Sequence, residues 1–238
     1  MHKIFEELDY QPTSLGDLSL RRKSVALLGN RDVYEVKLGD AFLMSSMFHV
    51  VEDALSDLGL GELNGVPCDV VVGGLGLGYT ALTALAHANV RSLVIVEFLQ
   101  PVIGWHERGL VPLGAQLTAD PRCRILQGDF FALAMAPSGF VPGSRFHAVL
   151  LDIDHSPCNL LDERNAAFYS AAGLTALAAQ LHPGGVFAMW SDDAPDQEFM
   201  ELLMATFPTV RAEVVRFPNP ILGCDSASTV YIAIKAAD

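Results

Sequence analysis

The sequence predicts an α/β fold: a mostly parallel, seven-stranded sheet with helices on both faces, preceded by a small N-terminal β extension. Two observations carry this prediction. From Pro67 onward, short apolar runs alternate with Ala/Leu-rich helical stretches, the rhythm of strands joined by crossover helices. Four of the five alternating strands close on Glu97, Asp129, Asp152 or, just past Ser191, Asp192. Ligands of such sheets lie beyond the carboxyl ends of the strands.

The elements follow in order. Residues 13–44 contain short alternating stretches, and Tyr34-Glu35-Val36-Lys37-Leu38 has the period of two of a half-buried strand. Phe48, Val51, Leu55 and Leu58 then recur at helical spacing, and the loop near 60–67 ends this part. Residues 1–65 are therefore expected to form a β meander and a helix, and residues 66–238 a ligand-binding domain. Within the latter, strands are expected at 69–72, 93–96, 124–126, 148–151 and 186–190, with a helix at 79–87. A further helix has Asp162 as N-cap, places Leu174, Leu177 and Leu181 on one face and stops at Pro183-Gly184-Gly185. After a helix at 197–206, the runs 210–217 and 229–234 read as a closing antiparallel pair, the last two of the seven strands.

Bulk properties narrow the function. A length of 238 residues and 51% apolar content suit one α/β domain with an extension. The net charge of −13 and the shortness of the one basic cluster, Arg21-Arg22-Lys23, argue against a nucleic-acid partner and for a cationic or neutral small-molecule substrate. No run is apolar for long enough to span a membrane, and the first ten residues do not read as a secretory signal. Cys68, Cys123, Cys158 and Cys224 form no CxxC pair, and the histidines make no metal spacing. Free thiols in a reducing cytoplasm and no metal are the expectation.

The chemistry centres on Gly73-Gly74-Leu75-Gly76-Leu77-Gly78, which follows the first strand of the larger domain and opens a helix. Glycines permit a sharp turn and let a ligand approach the main chain. About 20 residues further on, Glu97 stands where an acid accepts ribose hydroxyls. A nicotinamide site would want glycine at the position of Tyr79 and has no use for an acid after the next strand. Here Asp129 occupies that place, able to accept the exocyclic amine of adenine with Phe130 flanking the ring. An S-adenosyl cofactor fits this pattern better.

The segments VVVGGLGLG (70–78), VIVE (94–97), DPRCRILQGDFF (120–131), AVLLDIDHSP (148–157), FY (168–169) and LHPGGVFAMW (181–190) resemble the spermidine synthase family of aminopropyltransferases. That family is a branch of the Rossmann-like class I S-adenosylmethionine-dependent methyltransferase fold. The resemblance implies that Glu97 holds the ribose, Asp129 the adenine, and that Asp152 is the general base. A base has work to do here. An alkylamine with a pKa of about 10.4 must lose a proton before attack, which at pH 7 costs about 4–5 kcal/mol.

Three departures from the family pattern bear on the reaction. Gly76 replaces the family's loop Asp that reads the aminopropyl ammonium, His155 replaces the second signature Asp, and Met44-Ser45 replace a Tyr-Gln pair. With the loop carboxylate gone, intact S-adenosylmethionine is not repelled, and loop N–H groups can hold its carboxylate. The leading expectation is therefore methyl transfer from S-adenosylmethionine to a small, amine-bearing substrate. Alternatives are aminopropyl transfer from decarboxylated S-adenosylmethionine, giving a polyamine, and a non-catalytic nucleoside-binding module. His155 is a candidate second base. Tyr79, Asp154, Trp190 and Asp192 are candidates for the substrate side, although Asp154 should point away from Asp152. The N-terminal meander is a candidate lid or homodimer surface.

Overall fold

A computed structural model describes residues 5–237. An N-terminal antiparallel sheet is built from β1 (Phe5–Thr13), β2 (Gly16–Val25), β3 (Arg31–Leu38) and β4 (Ala41–Ser45), paired in chain order. Helix α1 (Val50–Gly61) leads to the larger unit. There β5 (Cys68–Gly73), α2 (Tyr79–Ala86), β6 (Val90–Glu97), α3 (Gln100–Glu107), α4 (Gly114–Ala119), β7 (Cys123–Gln127), α5 (Phe130–Met135) and β8 (Phe146–Leu151) follow. The chain closes with α6 (Ala171–Ala179), β9 (Leu181–Ser191), α7 (Gln197–Met204), β10 (Thr209–Asn219) and β11 (Cys224–Ile234).

The second sheet has seven strands in the order β10-β11-β9-β8-β5-β6-β7. Strands β5 to β9 run parallel, and β11 pairs antiparallel with both β9 and β10. Alternation along each strand explains the unbroken apolar runs. Val70 and Val72 enter the core under α1, α2 and α3, while Val71 enters the phenylalanine-rich core under α5, α6 and α7. The chain leaves central β5 for β6 and β7 on one side and returns to β8 on the other. A crevice at the strand ends between β5 and β8 is the consequence.

Helix α1 belongs to this larger body although it precedes the 60–67 loop. A Cβ on Gly59 would lie 2.8 Å from Leu150 and 3.1 Å from Ala188, so glycine lets α1 lie close against β8 and β9. The N-terminal sheet packs on the same core through Leu18, Leu20 and Val36. Its first hairpin is tied down where buried Trp105 donates to Asp9 at 2.7 Å, beside Arg108 at 2.6 Å. Two local expectations change. Asp162 caps a 3-10 turn (Glu163–Ala167), whereas Ser170 caps α6 by accepting from the Gly173 N–H. Pro183-Gly184-Gly185 lies inside β9 instead of ending a helix, because the helix already stops at Ala179.

Candidate active site

Two connected cavities open at the β5/β8 crevice. The larger, about 850 Å³ and open to solvent, runs from the glycine turn past Glu97 and Asp129 to Asp162 and Arg164. The smaller, about 630 Å³, lies between the turn, α1 and the end of β9, and its lining includes Glu52, Tyr79, Asp152, His155 and Trp190. Gly76, Met44 and Asp152 line both.

The turn is held open by contacts that only glycine permits. Gly74 sits at φ 93°, and a Cβ there would run into the carbonyl oxygen of Asp152, whose N–H donates to Gly73 at 2.8 Å. Gly73, which lines neither cavity, packs on Phe130. His106, buried on α3, hydrogen-bonds the Gly76 carbonyl at 2.9 Å, and burial holds its pKa below the ordinary histidine value.

Glu97 ends β6 as a buried carboxylate. Its two oxygens accept from the N–H groups of Leu99 at 2.7 Å and Leu75 at 3.0 Å, so it braces the turn as well as facing the cleft. Burial raises its pKa, and the backbone donors oppose that shift. Asp129 caps α5, one oxygen accepting from Ala132 at 3.0 Å. Asp152, one residue past β8, accepts from the Thr80 hydroxyl at 2.7 Å. Protein surrounds it apart from its cavity face, and desolvation pushes its pKa up to about 6.

Glu52 is the side chain that sequence reasoning missed. In the first turn of α1 it reads as an acid that complements a helix dipole. The fold instead places it on the wall opposite β8, where desolvation and the neighbouring Asp152 push its pKa up to about 8. The signal available in the sequence was its place seven residues after Ser45, close in the chain to the Met44-Ser45 pair that the family resemblance ties to the amine side.

Comparison with known proteins agrees with this architecture. The crystal structure of spermidine synthase from Thermotoga maritima superposes with a TM-score of 0.74 at 15% identity, covering 98% of this chain and 74% of that one. Spermidine synthase in complex with the transition-state analogue AdoDATO gives a TM-score of 0.73 at 14% identity, with the same coverage. The chain has a spermidine synthase-like fold. A curated relative, polyamine aminopropyltransferase 2 of Pseudomonas aeruginosa, is 29% identical over 161 residues, 64% of this chain and 43% of the relative. The chain thus spans less than half the length of that curated relative. No family model matches.

Within the spermidine synthase-like frame, most sequence-selected residues converge. Gly74, Gly76, Glu97, Asp129, Phe130 and Asp152 line the larger cleft; Gly76, Gly78, Tyr79, Asp152, His155 and Trp190 line the smaller. Phe130 contributes only an edge, because its ring is buried among Phe131, Phe140 and Phe168. Exposed Phe98, with Leu99 and Ile153, supplies apolar wall that had not been expected. Asp154 lines neither cavity. It is buried and accepts from Leu161 at 2.8 Å, Asn165 at 2.9 Å and Tyr169 at 2.9 Å, which makes it the organiser of the 154–169 loop instead of a substrate contact. Asp192 lies exposed outside the lining, its N–H donated to the His155 carbonyl at 2.7 Å. Among the described residues no helix is long and apolar enough to cross a membrane.

Proposed function

We propose that the chain transfers the aminopropyl group of decarboxylated S-adenosylmethionine to an amine, with a polyamine as product. One observation carries this reading. The compartment beside the glycine turn is lined by Glu52, Asp152, His155 and Tyr79 and, among the described residues, by no lysine or arginine. Such a compartment attracts an ammonium and repels the α-carboxylate of intact S-adenosylmethionine. The names of the curated relative and of the structural neighbours point the same way. The preference for methyl transfer rested on Gly76 lacking a carboxylate. Glu52 brings one into that compartment from α1, and the preference reverses.

The residues present fit an adenosyl cofactor. The turn has no Cβ at Gly74 or Gly76, and Glu97 and Asp129 border the adjoining cleft with acceptor capacity to spare. When bound, the cofactor supplies a carbon made electrophilic by its sulfonium. Glu97 holds the ribose hydroxyls, and Asp129 accepts from the adenine amine. Asp152, ionised above about pH 6, orients the acceptor ammonium and takes up its proton. Thr80 fixes the rotamer of Asp152, and Ser56 on α1 fixes Thr80 by donating to its carbonyl at 2.7 Å.

Calorimetry with S-adenosylmethionine, its decarboxylated form and methylthioadenosine tests the proposal. The decarboxylated form should bind at least about tenfold more tightly than the intact one. Equal or reversed affinities would return the assignment to methyl transfer. Asp152→Asn should retain methylthioadenosine binding and lose turnover, which separates an enzyme from a nucleoside-binding module.

A further inference from the structure

We infer that Glu52 and Asp152 act as one proton-sharing receptor for the acceptor's ammonium group, with Glu52 as its specificity-determining carboxylate. This inference rests on the aminopropyl-transfer reading and extends it to the way the amine is recognised. The family pattern reads its amines with a loop Asp and a second signature Asp, and this chain has Gly76 and His155 at those places.

The geometry has three parts. First, Glu52 and Asp152 approach the smaller cavity from different elements, α1 and the end of β8, and both line it. Second, both carboxylates keep open acceptor sites. Asp152 receives one bond, from Thr80, and among the described residues no other residue's side chain donates to Glu52. Third, the aromatic side chain of Trp190 lines the same cavity, the kind of wall that favours a cation beside it. Two carboxylates without a cation beside an aromatic wall describe a cavity completed by a cationic ligand.

Two of the other charged groups around the pair, Asp53 and Arg211, are already engaged. On α1, Asp53 accepts from Thr83 at 2.7 Å and pairs with His49 at 2.7 Å, and the His49 ring stacks on Tyr79 at 4.1 Å. On the loop after β8, His155 lines the cavity, and exposed Asp192 beyond β9 adds a further negative charge near Glu52. From β10, Arg211 is held by Glu62 at 2.8 Å, at the far end of α1. Among the described residues, no lysine or arginine pairs with either carboxylate.

With Glu52 raised to about 8 and Asp152 to about 6, the empty pair holds one proton at neutral pH. An incoming R–NH₃⁺ replaces that proton, which leaves to solvent from Glu52. When the nitrogen lone pair forms its new bond to carbon, and the carbon–sulfur pair of electrons stays on sulfur, one N–H proton returns to the carboxylates. The product departs as R–NH₂⁺–R′, the receptor is back in its one-proton state, and one proton has been released per turnover.

The test uses the full chain saturated with methylthioadenosine. It is titrated with 1,4-diaminobutane at pH 7 in phosphate and in Tris, whose different ionisation enthalpies report proton release. The wild type should release about one proton per amine bound. Glu52→Gln should release close to none and bind the diamine at least about tenfold more weakly, with methylthioadenosine affinity unchanged. Glu52→Ala, read in the same way, guards against a glutamine that packs badly. Amine affinity and proton release equal to wild type in both variants would overturn the role of Glu52 and leave aminopropyl transfer standing. A wild type that binds methylthioadenosine but no amine would overturn both.

Discussion

Met44 fills the space that a side chain at Gly76 would need: its Cε and Sδ lie 2.6 and 2.7 Å from the position of a Cβ there. Gly76 also has φ 48°, a backbone conformation that favours glycine. The two departures from the family pattern, Gly76 and Met44, thus lie side by side, and Met44 occupies the volume a side chain at residue 76 would need. Gly76→Ala should therefore lose about 1–2 kcal/mol, lowering Tm by about 3–6 °C. Part of the loss is steric and part is backbone strain. Met44→Ala combined with Gly76→Ala should recover only the steric part, giving a coupling of about 0.5–1.5 kcal/mol in a double-mutant cycle. Strict additivity in thermal melts would remove Met44 as the obstacle.

Thr80 controls the ionisation of Asp152. Its hydroxyl bond stabilises the carboxylate and so opposes the rise caused by burial. Thr80→Val keeps the shape and removes the donor, so the pKa of Asp152 should rise. Because the base must be ionised to accept a proton, the acidic limb of the pH–rate profile should move to higher pH by about one unit. Activity at pH 6 should then fall by about fivefold and activity at pH 8.5 by much less. A loss that is uniform across pH would show that Thr80 acts on position and not on charge.

The sheet was legible because its signals are local and repeat. β5 to β9 combine apolar runs with an acid or glycine at each exit, and the antiparallel close of β10 and β11 shows in two facing β-rich runs. The cofactor side was legible for the same reason, since Gly74, Glu97 and Asp129 each sit at a strand end. The amine side was not. Glu52 lies on a helix before the glycine turn, and its helical position has an ordinary surface explanation until α1 is packed on β8 and β9. Asp154 failed in the opposite direction. It sits two residues from Asp152, yet the loop folds its carboxylate inward onto Leu161, Asn165 and Tyr169.

That inward carboxylate sets up a contrast between two neighbouring aspartates. Asp154→Ala strands three donors in a buried site and should destabilise the chain by about 3 kcal/mol, or about 6–12 °C in Tm. Asp152→Asn keeps an oxygen that can accept from Thr80 and relieves a buried charge, so its Tm should stay within about 2 °C of wild type. Calorimetric scans of the two variants decide the matter. A stable Asp154→Ala protein with impaired amine binding would restore that residue to the substrate side.

The carboxylate pair should also be visible in stability without any ligand. Glu52 rises from an ordinary value of 4.5 to about 8, and Asp152 from 3.8 to about 6. Both groups therefore hold protons more tightly in the folded chain than in the unfolded one. For such groups, stability is fully present below the unfolded value and is lost as pH climbs to the folded value. The wild type should thus lose stability between about pH 4.5 and pH 8, by about 2–4 kcal/mol after allowance for partial solvent access. Glu52→Gln removes the larger share of this slope. The variant and the wild type should unfold at similar urea concentrations at pH 5, and the variant should be the more stable by about 2 kcal/mol at pH 8.5. Parallel stability curves for the two proteins across that interval would mean that Glu52 is ionised throughout, and the empty site would then hold no proton for an amine to displace.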